Sequence, residues 1–269
     1  MNRSLEASSW YNFGAVQYAL IVLAIIGFLG FLLPFLGLLS QVELAQIWHQ
    51  LAQPEVYDAL WLSVKVSTTS LIFSLFFGLP IAFILARRRF FGRDLVYALI
   101  HLPMVMPPVV VGVALLMAFG RRGLCGDLLA AMGIQLPFTT ASAIIAASIV
   151  STPFLIIAVE AGFAKADPRL EYVAATLGAS PWRIFWTVTV PSIRASLFAG
   201  MALCWARSIG EFGATIAFAG NLQGRTQTMP LAVYTALHTR PQVAIVLSII
   251  LLVVSVLALF ILRKKLHQP

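Results

Sequence analysis

Long apolar runs alternate with short polar connections along this chain, and the runs set the predicted elements. Residues 15–39, 59–86, 95–119, 141–163, 192–220 and 241–262 each reach the roughly 18 to 20 residues that a helix needs to cross a hydrocarbon core. In lipid a spanning segment must close its own backbone hydrogen bonds, so the runs read as helices. The pattern predicts an all-α polytopic membrane protein with six transmembrane helices. The first run has a longer apolar core than a signal peptide and no clear small-residue cleavage site, so it reads as the first membrane helix. Pro103, Pro107 and Pro108 interrupt the third run, and a kinked or broken helix is expected there. Such a break either lines a pathway or serves packing alone.

One polar island stands apart from this alternation. Between the fourth and fifth runs the chain reads DPRLEYVAATLGASPWRIFWTVTVP, residues 167–191. Asp167 is placed to cap a helix opened by Pro168, whose missing donor costs nothing at a first helical position. Leu170, Val173, Ala174 and Leu177 recur at helical spacing, and Gly178 suits the left-handed residue after a helix end. Ser180 and Pro181 repeat the cap, opening a second helix with Trp182, Phe185, Trp186 and Thr189 near one side before Pro191. Helix, glycine turn, helix is the expectation, lying at a membrane surface.

Composition agrees and adds an orientation. Hydrophobic residues make up 60% of the chain and charged ones 10%, against about 25% charged in soluble domains; a soluble globular domain is excluded. The net charge of +8 is distributed by topology and is not a nucleic-acid footprint. Twelve of the 18 basic residues fall on one side of the layout, Arg87, Arg88, Arg89 and Arg93 among them, and four on the other. That bias puts both termini and the polar island in the cytoplasm. Cys125 and Cys204 have no metal-type or redox spacing and read as unpaired.

Within the fifth run, Ala202, Ala206, Gly210 and Ala214 recur every four residues, a stripe that lets another helix pack closely in lipid. Arg207 and Glu211 lie one turn apart beside it and can pair. An arginine near mid-membrane needs a protein or water environment and a partner. Two readings stand: a buried structural ion pair, or a gate on a translocation path that tolerates an anion. Lys65, near the start of the second run, either snorkels outward or belongs to a pathway. Glu160 is read as a hydrated span-end carboxylate with no chemistry assigned. No GxxxxGK[ST] phosphate loop is present, so energy must come from another subunit. His49, His101, His238 and His267 are scattered, and no nucleophile, base and orienter set emerges; the chain reads as a transport subunit, with no catalytic residue and no metal site.

The island resembles the EAA loop of binding-protein-dependent ABC importer permeases, with Tyr172, Val173, Ala174, Gly178, Val188, Val190 and Pro191 on the motif positions. The leading Glu-Ala has become Tyr172-Val173, with Glu171 one place earlier. HLPMVMPPVVVG and the run from Ala206 to Leu237 resemble molybdate permeases of the same family; sulfate permeases share Gly-Glu-Phe-Gly-Ala. The resemblance implies a MetI-like type I importer permease fold in one domain, residues 1–269, with an extra helix at 15–39, a core at 59–262 and a coupling segment at 165–191. It implies that Glu171, Tyr172, Val173, Ala174, Leu177, Gly178 and Pro191 couple to a cytoplasmic ABC ATPase. It further implies a homodimer in the lipid of a bacterial plasma membrane, ATP bound only by the partner, and an extracytoplasmic oxyanion-binding protein that residues 221–234 help to dock. The island as a plain amphipathic connector, and residues 221–234 as an ordinary loop, remain the other readings. Molybdate is the expected substrate, with tungstate and sulfate as alternatives and an ion-gradient-driven transporter or channel as the reading from another class.

Overall fold

The computed structural model of the protein describes residues 14–41, 47 and 53–266. Arg3, Glu6, His49 and His267 lie outside the described residues. Contacts divide the chain into two compact units, Met1–Gln46 and Ile47–Pro269. The first contains α1 (Gly14–Ser40), which carries Pro34 and is exposed and apolar on every side. A helix apolar all round is suited to lipid or to a protein neighbour, not to water.

The second unit begins with α2 (Pro54–Arg87), α3 (Arg93–Val105), α4 (Pro108–Phe119), α5 (Gly126–Ala131) and α6 (Thr140–Lys165). Next come α7 (Arg169–Thr176), α8 (Pro181–Ile184), a π-turn over Phe185–Thr189 and α9 (Val190–Ser192). The unit ends with α10 (Arg194–Ile209), α11 (Gly213–Ala219), α12 (Met229–Thr239) and α13 (Pro241–Leu266). Among the described residues, four helices have the length and apolarity to cross a membrane, and the count reaches six if each of two bent pairs is one span.

The centre of this unit is α2 against α6, with α10 across them. Leu79, Ala82 and Leu85 meet Leu155, Ile156, Val159, Phe163 and Cys204. Lipid tails are as apolar as these side chains, so helices associate in a bilayer through close packing and interhelical hydrogen bonds. Both devices are present. Gly162 of α6 faces Ser196 of α10 so closely that an added Cβ would come within 2.6 Å of the serine Cβ. On α2, Ser63, Ser67, Ser70 and Ser74 are all buried, at the helical spacing of one face. Ser70 Oγ lies 3.2 Å from Ser151 Oγ, and Ser74 Oγ 2.7 Å from Thr152 Oγ1.

Two spans are broken, the third as its prolines lead one to expect and the fifth against expectation. The third bends by 117° between α3 and α4, because Pro107 and Pro108 supply no backbone donors and push the preceding residue out of helical conformation. The fifth does not run unbroken through residues 192–220. It starts at Arg194, bent by 75° from the preceding Pro181–Ser192 segment, and α10 stops at Ile209. Gly210 to Phe212 leave the helix, and α11 begins at Gly213. The stripe Ala202, Ala206, Gly210 and Ala214 is therefore not one surface: Ala202 is buried, Ala206 half-buried and Gly210 exposed, and Ala214 sits buried on a different helix. The close approach is made elsewhere. A Cβ on Gly112 of α4 would lie 2.7 Å from Ala214 O and 2.7 Å from Ala217 Cβ, and one on Gly213 would lie 2.9 Å from Pro108 Cβ. The two breaks touch each other.

Gly112→Val should therefore separate α4 from α11 and cost on the order of 1–3 kcal/mol, the range for overpacking a close contact. Thermal unfolding of the purified protein in detergent would show it, with Gly30→Val in α1, where nothing lies within 4 Å, as the variant expected to melt like the parent.

Candidate functional site

The polar island folds as helix, glycine turn, helix, built by local chemistry. Asp167 Oδ1 accepts the Arg169 N–H at 2.9 Å, and α7 starts at Arg169, one residue after the expected proline. At its end the Leu177 N–H bonds Val173 O and the Ala179 N–H bonds Ala174 O, which requires the left-handed turn that Gly178 makes at φ +82°. Ser180 Oγ accepts the Arg183 N–H at 3.4 Å, with Pro181 in the first turn. The second helix is not regular. It widens into the π-turn, in which the Val190 N–H reaches back to Phe185 O, just before Pro191, which has no N–H to donate. Single π-turns of this kind concentrate at functional sites.

The side chains divide by direction. Trp182, Phe185 and Trp186 cluster at centroid distances of 5.1 to 6.3 Å, Trp182 stacked on Phe185 and Trp186 edge-on to both, and Phe185 packs edge-on against Phe83 of α2 at 5.5 Å. Away from this cluster, Leu177 is 82% exposed and Tyr172 72%, with Val173 and Leu170 also exposed. These apolar positions do not pack onto the rest of the unit. Ala174 is half-buried, and Pro191 is exposed at the start of α9.

Glu171 turns inward. Its Oε1 accepts from Arg87 Nη2 at 3.0 Å and from Thr189 Oγ1 at 3.1 Å. Nearby, Arg93 donates to Leu85 O from Nε at 3.0 Å and Nη2 at 2.8 Å, and Nη2 approaches Glu160 Oε1 at 3.4 Å. The basic loop and the polar island thus occupy one end of the unit. Glu160, read from sequence as having no chemistry, is an ion-pair partner, and Arg87, Arg93 and Thr189 hold this end together. Sequence spacing carried no sign of these pairings, since Arg87 and Glu171 are 84 residues apart.

Arg207 and Glu211 are brought together, with Nη1 to Oε2 at 2.6 Å. The other carboxylate oxygen accepts the Ala214 N–H at 2.8 Å, so Glu211 caps α11 across the helix break. Its side chain is 2% exposed and that of Arg207 27%. Arg207 is half-buried, one turn along α10 from the exposed Leu203. The pair lies 13 residues along α10 from Arg194, about 20 Å at 1.5 Å per residue, so it is remote from the polar island. Lys65 is on the exposed side of α2.

At the end opposite the basic loop, residues 221–234 are more than a surface loop. Thr226, Met229 and Leu231 are fully buried, the Met229 N–H donates to Ser63 Oγ at 2.7 Å and Thr140 Oγ1 donates to Arg225 O at 2.8 Å.

Comparison with known proteins places the chain in a family. Residues 78–268 match the family described as binding-protein-dependent transport system inner membrane component. The chain belongs to this family. This inner membrane component is 43% identical over 236 residues to the molybdenum transport system permease protein ModB of Mycobacterium tuberculosis, covering 87% of this chain and 89% of that protein. It is 36% identical to the sulfate transport system permease protein CysT of Escherichia coli, covering 82% of this chain and 80% of that protein. Its fold matches a chain of a bacterial ABC transporter that imports alginate, with TM-score 0.74, 18% identity and coverage of 94% and 95%. The methionine transporter MetNI matches with TM-score 0.61, 16% identity and coverage of 84% and 98%. The MetI-like importer permease fold is thereby shown, and the binding-protein-dependent component is a transport subunit.

In this inner membrane component, Arg207→Ala should destabilise more than Glu211→Ala. Loss of the arginine leaves a carboxylate that is 2% exposed without its counter-charge, and stranding one half of a buried pair costs roughly 3–5 kcal/mol. Loss of the carboxylate leaves the Ala214 N–H without an acceptor, but the guanidinium, on a side chain 27% exposed, keeps part of its hydration. Melting of the two variants in detergent would rank them; the reverse order would show that the Ala214 bond outweighs the charge pair.

Proposed function

We propose that this chain is the translocating subunit of an ATP-driven importer that carries molybdate into the cytoplasm of a bacterium by alternating access. The observation that carries the reading is the segment from α7 to α9. Its apolar side chains are uncovered, its turns are capped within the chain, and it leads directly into α10. A helix pair of this kind suits a groove on a soluble partner. In this reading the partner is a separate ABC ATPase that binds and hydrolyses the ATP, and Tyr172, Val173, Ala174, Leu177 and Gly178 form the docking surface, with Glu171 and Pro191 setting its posture. Two copies of the chain enclose the pathway, in the plasma membrane, and an extracytoplasmic binding protein delivers the oxyanion at the end formed by residues 221–234.

The substrate assignment rests on the ModB relative and on the runs His101 to Gly112 and Ala206 to Leu237. Arg207 and Glu211 form a gate in the proposed pathway. Arg207 attracts a tetrahedral oxyanion, and Glu211 cancels most of that field, so the anion is passed and not held. Closure of the ATPases moves the docked segment, and α10 carries the motion towards the break at Gly210. Sulfate is the second reading, favoured by the 36% identity to CysT.

Labelled molybdate uptake by cells carrying the chain with its ATPase and binding protein should be inhibited by excess tungstate and spared by sulfate. Equal inhibition by sulfate would move the assignment to the second reading. Leu177→Asp, at a position exposed enough to leave folding intact, should release the ATPase on purification. Arg207→Gln should slow uptake at equal membrane abundance; unchanged uptake would remove the gate.

A further inference from the structure

We infer that Glu171 is a positioning residue: its carboxylate ties the docking helix α7 to the end of α2 and to the π-turn before α10, so that a push on α7 moves all three together. The inference rests on the proposed docking of an ATPase against α7. It differs from a direct partner contact, because the carboxylate is already occupied within the chain.

The geometry is a three-way junction on one oxygen. Oε1 of Glu171 takes Arg87 Nη2 at 3.0 Å and Thr189 Oγ1 at 3.1 Å. Arg87 is the last residue of α2, Glu171 lies in the first turn of α7 and Thr189 closes the π-turn. Each charge also suits its helix end, an arginine at a C-terminus and a glutamate at an N-terminus. The arginine and glutamate side chains are 18% and 27% exposed, so the pair is sheltered beyond a surface ion pair, whose contribution is usually small. Without it, α7 would be joined to the unit mainly through its chain neighbours and its contacts with the segment that follows. Arg93, bound to Leu85 O and to Glu160, anchors the same end of α2 to α6. A displacement of α7 is thereby delivered to α2 and, through the π-turn and α9, to α10.

The test uses the assembled importer in proteoliposomes, reading molybdate uptake and ATP hydrolysis in the same vesicles. Glu171→Gln and Arg87→Gln should each lower the molybdate delivered per ATP by about tenfold, the scale of a coupling free energy between sites, with the ATPase still co-purifying. The exchange Arg87→Glu with Glu171→Arg should recover a large part of that ratio, short of all of it because both charges then oppose their helix ends. Thr189→Val should fall between the parent and the single variants. Thermal melting of the isolated chain gives a second readout: the exchanged pair should melt above either charge-reversed single variant.

Loss of ATPase co-purification in Glu171→Gln, unrepaired by the exchange, would overturn the inference in favour of a direct partner contact. Unchanged delivery per ATP in both single variants would also overturn it. Failure of the parent chain to retain any ATPase would instead overturn the docking reading, with the melting cycle still deciding whether Glu171 and Arg87 act as a pair.

Discussion

In an apolar solvent every backbone donor and acceptor must find a partner inside the protein, and the architecture of the second unit follows from that constraint. A helix meets it automatically and a helix break does not. Among the described residues, one apolar run is broken at Pro107 and Pro108 and another at Gly210 to Phe212, and the fold places these breaks against each other. Gly112 and Gly213 remove the side chains that would keep the broken ends apart, and Glu211 supplies the acceptor that the start of α11 lacks. A carboxylate is costly in such a place, and Arg207 offsets its charge. The ion pair is thus a structural answer to the break before it is anything else, and the proposed gate uses a group the backbone already requires.

The arginines of the basic loop divide into two kinds. Arg87 and Arg93 turn back onto the helices, one to Glu171 and one to Leu85 O and Glu160, whereas Arg88 and Arg89 remain exposed. The positive-inside count treats all four alike because orientation depends on charge near a span and not on its partner. The folded chain uses half of them to hold the end of α2, which is the end on which the segment proposed to dock the ATPase rests. Stiffness there has a mechanical consequence. An exposed helix that merely hung from the unit would absorb a push, while one tied to α2 and α10 transmits it.

Packing in the centre depends on small and hydroxylated residues more than on large apolar ones. Ser70 and Ser74 of α2 meet Ser151 and Thr152 of α6, and Gly162 lets Ser196 of α10 approach the α6 backbone. Interhelical hydrogen bonds of this type contribute only about 0.6 kcal/mol each on average in membranes. Their effect is to set register, since a shift of one residue along α2 would separate Ser70 and Ser74 from their partners.

The class of the protein, the approximate spans and the helix, glycine turn, helix island were legible in the residues, because each depends on local or one-dimensional properties. Apolar length sets a span, proline and serine set a cap, and a left-handed turn requires Gly178. The unbroken fifth span and its four-residue stripe were misread for the same reason: periodicity assumes a continuous helix, and nothing local announces that Gly210 ends one. The Arg207–Glu211 pair was legible, being one helical turn in length, but the cap on Ala214 was not. What the tertiary structure alone decided are the pairings across the chain, Arg87 with Glu171, Arg93 with Glu160, Ser63 with the Met229 N–H and Gly112 with Ala214. Each joins residues far apart in sequence, and a contact between distant residues exists only once helices have chosen their neighbours, a choice governed by shape and hydrogen bonding across interfaces that no single segment contains.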